Sequence, residues 1–237
     1  MTSWLGILML DTQFPRIAGD VGHAASWRMP VRYRVVRGAS PQRVVRDNDP
    51  MLLQPFIVAA QTLVAEGAAA ITTSCGFLLR FQAALQAALP VPVWTSSLLA
   101  LPALTAPGVI TVDAHSLGSI DGVPVEGLAP GCTLQRTLLD DLPTLDVQAA
   151  EADTVAAAQR LVQRHPEVET LVFECTELPP CADAVQRATG RPVHQLMTFV
   201  HERLQQAHPR SAFGAPPQGG NASGPAKPAP RRSLGKN

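Results

Sequence analysis

"ITTSCGFLLR", residues 71–80, and "VFECTELPP", residues 172–180, decide how this chain reads. In each, an apolar strand-like run stops, a cysteine follows among hydroxyl-bearing residues, and a helical pattern starts within a few positions. Ligands of parallel sheets bind outside the carboxyl ends of the strands. The helix that follows presents free N–H groups and a partial positive charge there. A thiol in that field is expected to have its thiolate favoured and its pKa lowered. The same field receives a substrate carboxylate. Free cysteine also packs as a small hydrophobe, but clustered hydroxyls at Thr72, Thr73, Ser74 and Thr176 suit a ligand site better than a core. Cys75 and Cys175 stand 100 residues apart, in equivalent places of a repeated plan.

Outward from these corners, strands and helices alternate. "WLGILML" (4–10) reads as a buried strand and "VRYRVV" (31–36) as a strand mixing apolar and basic residues. A helix is expected from about Pro50 to Glu66, then a strand "AAAITTS", a helix from Phe77 to Leu89 and a strand "VPVWTSS". The second half restarts with "GVITVDA" (108–114), becomes less regular from Ser116 to Pro143, and continues with a helix from Glu151 to Arg164. The strand "ETLVFE", a helix from Pro180 to Thr189, the short strand "PVHQLM" and a last helix to about Ala207 complete it. The pattern predicts an α/β protein with largely parallel sheets. The expected first lobe is 1–104 with 192–208 returning to it, and the second is 105–191. A basic Pro/Gly-rich tail, 209–237, is expected to be disordered.

Lys+Arg and Asp+Glu balance at 19 each, which argues against nucleic acid and membrane partners. All five charges of the tail are basic, so the body before it is acidic by the same amount. Trp4–Leu10 is too short for a signal-peptide core and no run reaches the length of a membrane span. The four cysteines sit in unrelated contexts, so the expectation is a cytoplasmic protein with reduced thiols. No C-x-x-C with H-x-x-x-H spacing and no phosphate-binding glycine loop occurs, so no metal and no nucleotide cofactor is expected.

"ECTELPP" resembles the second-cysteine motif of the aspartate/glutamate racemase superfamily. "ITTSCGFL", with "LGILMLDTQFPRIAGDVGH" and "MPVRYRVV", is similar to the first-cysteine region of one of its branches. The resemblance spans residues 4 to about 200. It implies two pseudo-symmetric α/β lobes, each a mainly parallel sheet flanked by helices, with the active-site cleft between them. It also implies cofactor-independent racemisation or epimerisation of a small carboxylate-bearing molecule, an amino acid being the expected substrate. Cys75 and Cys175 fall on the two catalytic positions, one removing the α-proton and the other returning a proton on the opposite face. Thr72, Thr73, Ser74 and Thr176 would hold the substrate carboxylate. Gly76-Phe77 replaces the Asn-Thr that follows the first cysteine in amino-acid racemases, and the Gly76 N–H would stand in for those side chains. The superfamily also holds isomerases, hydantoin racemases and decarboxylases, and a non-catalytic ligand-binding member is a further alternative.

Asp11 follows the first strand and could engage a substrate amino group, or merely cap a turn. Arg16 and Asp20 are read as a loop ion pair in preference to a carboxylate site. Glu177 could adjust the neighbouring thiol or lie in solvent at a helix start. His115 and His194 are left outside the catalytic set, Cys132 is read as structural, and a homodimer is compatible with the plan.

Overall fold

Leu5–Met9 are five consecutive buried residues and form β1, the central strand of the first sheet. In the computed structural model, which describes residues 3–207, β1 pairs in parallel with β2 (Val31–Val35) and β3 (Ala70–Thr73), and β3 pairs with β4 (Val93–Trp94). Helix α1 (Leu53–Ala65) covers one face through Phe56, Ala60 and Leu63. Its entry is fixed by Asp49, whose carboxylate accepts the Met51 N–H at 2.8 Å ahead of Pro50, satisfying a donor the helix cannot. Helix α2 (Gln82–Ala88) follows a 3-10 turn over Gly76–Phe81.

The second sheet repeats the plan. Its strands are β5 (Pro107–Thr111), β6 (Val125–Gly127), β7 (Thr170–Phe173) and β8 (Val193–His194), in the order β6-β5-β7-β8, matching β2-β1-β3-β4. Around them lie α3 (Ala114–Leu117), α4 (Thr133–Leu139), α5 (Val147–Arg164) and α6 (Ala182–Thr189). Ile71 pairs with Val93, and 100 residues later Leu171 pairs with Val193. Ser74 donates its N–H to the Leu8 carbonyl at 2.9 Å, as Glu174 does to Ile110. The strands leading into the two cysteine corners therefore share one register, offset by 100 residues.

Three expectations are corrected. The stretch from Ser116 to Pro143 holds β6 and α4, which are too short for periodicity to declare them. Helix α5 starts at Val147, because the Asp146 carboxylate accepts the Ala149 N–H and caps it. β8 stays in the second sheet, so the chain returns to the first lobe only with α7 (Leu196–Ala207) and not at residue 192. There Leu196, Met197, Val200 and Leu204 pack with Leu5, Ile7 and Trp27. The tail 209–237 lies outside the described residues. No helix among the described residues is long and apolar enough to cross a membrane.

Apolar side chains of both lobes form one continuous core. Polar links cross between the lobes as well. The Asp141 carboxylate, on a residue held at φ 53°, accepts the Gln13 N–H at 2.7 Å, and Ser97 donates its hydroxyl to the Phe173 carbonyl at 2.6 Å. Such joints fix the width of the gap between the sheets' carboxyl ends.

Candidate active site

A cleft opens where β3 and β7 end, and both thiols line it. Cys75 is 8% and Cys175 6% exposed, so each touches the gap but sits largely out of water. Leu10, Phe14, Val45, Phe77, Val112 and Leu139 make apolar walls, and Ser74, Glu174 and Glu177 are the polar groups among them. Burial raises both thiols above the ordinary cysteine value, and the nearby carboxyls of Glu174 and Glu177 push further in the same direction. The expected lowering by the following helix is thus reversed. The corner is a two-turn 3-10 element on the Cys75 side and a single turn, starting only at Pro179, on the Cys175 side. Its local amide, from Phe77 or Glu177, is outweighed by desolvation.

The two sulfurs do not have equivalent partners. The Cys175 thiol donates to Glu177 Oε2 at 3.0 Å. Glu177 is in turn paired with Arg16, and both side chains are only 12% exposed. Arg16 also donates to Asp20 at 3.2 Å and to the Thr12 hydroxyl at 3.3 Å, and its guanidinium lies 4.4 Å from the centre of the Phe14 ring. Burial opposes the guanidinium charge, but the pull of Glu177 and Asp20 outweighs it and raises its pKa. Asp20 is lifted to about 7 by burial, against the opposing pull of Arg16. Glu177 also borders a second, small cavity that Asp20 and Glu151 line.

The pseudo-twofold is broken one residue from each cysteine. Thr176 donates its hydroxyl to the Ser74 carbonyl at 2.6 Å. Its counterpart is Gly76, where a Cβ would lie 2.2 Å from the Glu174 carbonyl oxygen and 2.4 Å from Glu174 Oε1. The long side chain at 174, where the other corner has a serine, takes the room that a residue at 76 would use. Gly76→Ala is therefore expected to lose about 2–3 kcal/mol of stability, because a backbone oxygen cannot swing aside. A shift in the urea midpoint at constant slope would measure it, and an unshifted midpoint would show that the corner relaxes freely.

No protein-family model matches the chain. Among curated proteins it is 31% identical over 238 residues to dimethylsulfoniopropionate lyase 7 of Emiliania huxleyi (strain CCMP1516), covering 89% of this chain and 69% of that one. It is also 31% identical over 211 residues to the dimethylsulfoniopropionate lyase of Durusdinium sp. clade D, covering 80% and 70%. The chain belongs to the dimethylsulfoniopropionate lyase family. Lyases 3 and 6 of the same Emiliania strain are longer relative to it, and the chain spans 61% of each. Solved structures place this lyase-family chain in the aspartate/glutamate racemase fold. A glycine-to-cysteine mutant of arylmalonate decarboxylase in a sulfate-associated form has TM-score 0.59 at 16% identity, covering 88% of this chain and 94% of that one. A glutamate racemase isoform from Bacillus anthracis has TM-score 0.51 at 17% identity, covering 86% and 82%.

The expected racemase or isomerase activity is corrected by these relatives, which are named lyases; the racemases share the fold alone. The relatives sit better with the alternative, a different member of the same fold (a related isomerase, hydantoin racemase or decarboxylase, or a non-catalytic ligand binder), than with an amino-acid racemase. In this lyase-family chain Cys75, Cys175, Ser74, Gly76 and Glu177 do meet at one cleft. Glu177 is not a solvated helix start but the partner of both Cys175 and Arg16. Thr72 and Thr73 do not face the cleft. Their hydroxyls donate to the carbonyls of Trp94 and Thr95 at 2.7 Å and lock β3 to the segment beside it. Thr176 is likewise committed to Ser74, and the Ser74 hydroxyl accepts the Leu10 N–H at 3.1 Å. Asp11 accepts the Gly38 N–H at 3.0 Å and pairs with Arg37, outside the cleft. Glu174 is the residue that sequence reasoning passed over, while the expected Arg16–Asp20 pair forms and gains Glu177 as a further partner. A charge closing the apolar run "LVFE" was the available signal for Glu174.

Proposed function

We propose that the chain cleaves dimethylsulfoniopropionate or a close sulfonium carboxylate by β-elimination, with Cys175 as the base. The observation that carries this is the Cys175 thiol, lining the cleft while already hydrogen-bonded to a carboxylate that can take its proton. Glu177 accepts the thiol proton, and Arg16 balances the charge beside it. The thiolate then removes the hydrogen on the carbon next to the substrate carboxylate. That electron pair forms the carbon–carbon double bond, the carbon–sulfur bond breaks, and its pair leaves on neutral dimethyl sulfide. Acrylate remains, Cys175 is a thiol again, and the proton held by Glu177 passes to water by way of the second cavity.

The charge pattern suits such a substrate. Thiols raised by burial ionise poorly alone, but a sulfonium bound within a few ångströms favours the thiolate in a low-dielectric site. Phe77 among the cleft walls offers an aromatic surface of the kind that attracts a methylated cation, while the Phe14 ring already carries the Arg16 guanidinium. The leaving group departs as a neutral thioether and needs no acid, so one base suffices where stereoinversion needs two groups. Purified full-length chain incubated with dimethylsulfoniopropionate is expected to release dimethyl sulfide into the headspace and acrylate into solution in equal amounts. Gas chromatography and proton NMR would read the two, and absence of both would overturn the proposal.

A further inference from the structure

Glu174 is the group the elimination so far leaves unused. It is 0% exposed, it lines the same cleft as the two cysteines, and its Oε1 has no hydrogen-bond partner among the described residues. Its other oxygen, Oε2, receives the Thr111 hydroxyl at 2.7 Å. The Thr111 oxygen itself accepts the Asp113 N–H at 3.4 Å, which turns the hydroxyl hydrogen toward Glu174. If Oε2 is the acceptor, the proton of a neutral carboxyl resides on Oε1, the free oxygen. Gly76 is what gives that oxygen its room, since any Cβ there would collide with it.

We infer that Glu174 works as a neutral carboxylic acid whose Oε1–H donates to the substrate carboxylate, holding the molecule for deprotonation and stabilising the charge that builds there. This rests on the elimination proposed above. Removing the α-hydrogen pushes negative charge onto the carboxylate oxygens, so a donor aimed at them strengthens its bond as the transition state forms. The groups facing Glu174 are Cys75 from the first corner, Cys175 and Glu177 from its own corner, and Thr111 from β5, none of them a cation. Arg16, the nearby guanidinium, is engaged by Glu177 and Asp20. Burial first, with Glu177 adding, lifts Glu174 to about 8, against the hydrogen bond from Thr111. An ionised Glu174 would both lose its donor and repel the incoming carboxylate.

The test compares wild type with Glu174→Gln, which keeps an N–H donor but cannot ionise, and Glu174→Leu, which has no donor. In wild type, acrylate affinity measured by calorimetry is expected to fall about tenfold per pH unit above pH 8. It should be independent of pH from 7 to 9.5 in the glutamine variant and at least tenfold weaker in the leucine variant. The kcat/KM for dimethyl sulfide release should lose the same alkaline limb in Glu174→Gln, and fall about 100-fold in Glu174→Leu at pH 7. Thermal unfolding supplies a readout free of ligand. The native state keeps a proton that the unfolded chain has lost, so stability drops as pH rises from the ordinary carboxylate range through about 8. The glutamine variant should show a shallower slope, keeping only the part that Asp20 contributes as it titrates near 7. If it retains the wild-type pH dependence of acrylate binding or of melting, or if wild type binds no acrylate, the inference is overturned. Wild type that binds acrylate with the expected pH dependence yet releases no dimethyl sulfide would instead sink the elimination and spare the assignment of Glu174.

Discussion

Cys175→Ser is expected to lower kcat for dimethyl sulfide release by on the order of 10³-fold, while Cys75→Ser lowers it by about tenfold. The difference follows from what each sulfur touches. Cys175 has a carboxylate acceptor at 3.0 Å, and that acceptor is balanced by a guanidinium. Cys75 lines the facing wall with burial, Glu174 and Glu177 all acting against its ionisation, and no side chain is bonded to it to take its proton. A serine hydroxyl is too weak an acid to replace the thiolate at 175, but at 75 it changes only the contact surface and polarity of the wall. Single-turnover measurements at saturating substrate would separate the chemical step from binding. Equal losses in the two variants would mean that both thiols move protons, and the one-base elimination would have to be abandoned.

Arg16→Met should be the most destabilising change outside the apolar core, at about 3 kcal/mol near pH 8. The methionine fills much of the same volume but leaves Glu177 and Asp20 buried beside each other without their cation. The sign of the pH dependence follows. Without Arg16 the Asp20 carboxyl, already lifted by burial, loses the cation that opposes the lift, so the native variant holds a proton that the unfolded chain has lost, and the deficit grows as pH rises. The variant's melting temperature should therefore approach that of wild type toward pH 5 and diverge above pH 7, through the region where Asp20 already titrates in wild type. Arg16→Lys, which keeps a charge but not the forked geometry, should recover part of the loss. A constant deficit from pH 5 to 9 would show that packing against Phe14, and not charge, is what Arg16 supplies.

Much of this architecture could be read from the chain because both corners announce themselves locally. An all-buried β1 and the repeated strand–cysteine–helix transitions give the two parallel sheets and put Cys75 and Cys175 at their carboxyl ends. What could not be read depends on the neighbouring strand or the other lobe. Thr72 and Thr73 look like ligand-binding hydroxyls until the carbonyls of Trp94 and Thr95 are seen to take them. Arg16 looks like one half of a loop ion pair because its second partner, Glu177, lies 161 residues away. The thiol ionisation was misjudged in sign because the short turns were credited with a helix's field, while the depth of burial is a tertiary quantity. Glu174 was absorbed into the strand it ends, and only the bare α-carbon of Gly76 against it reveals the accommodation.

A scaffold that repeats itself about a twofold axis is ambidextrous by construction, offering a reactant the same hand from either side. Filling the slot at 174 on one side, and stripping residue 76 to a hydrogen on the other, removes that indifference. The methylene next to a bound carboxylate then meets two unlike walls, and its paired hydrogens cease to be interchangeable. On the elimination proposed above, that one local asymmetry is what would let a twofold framework draw a proton from a single chosen side.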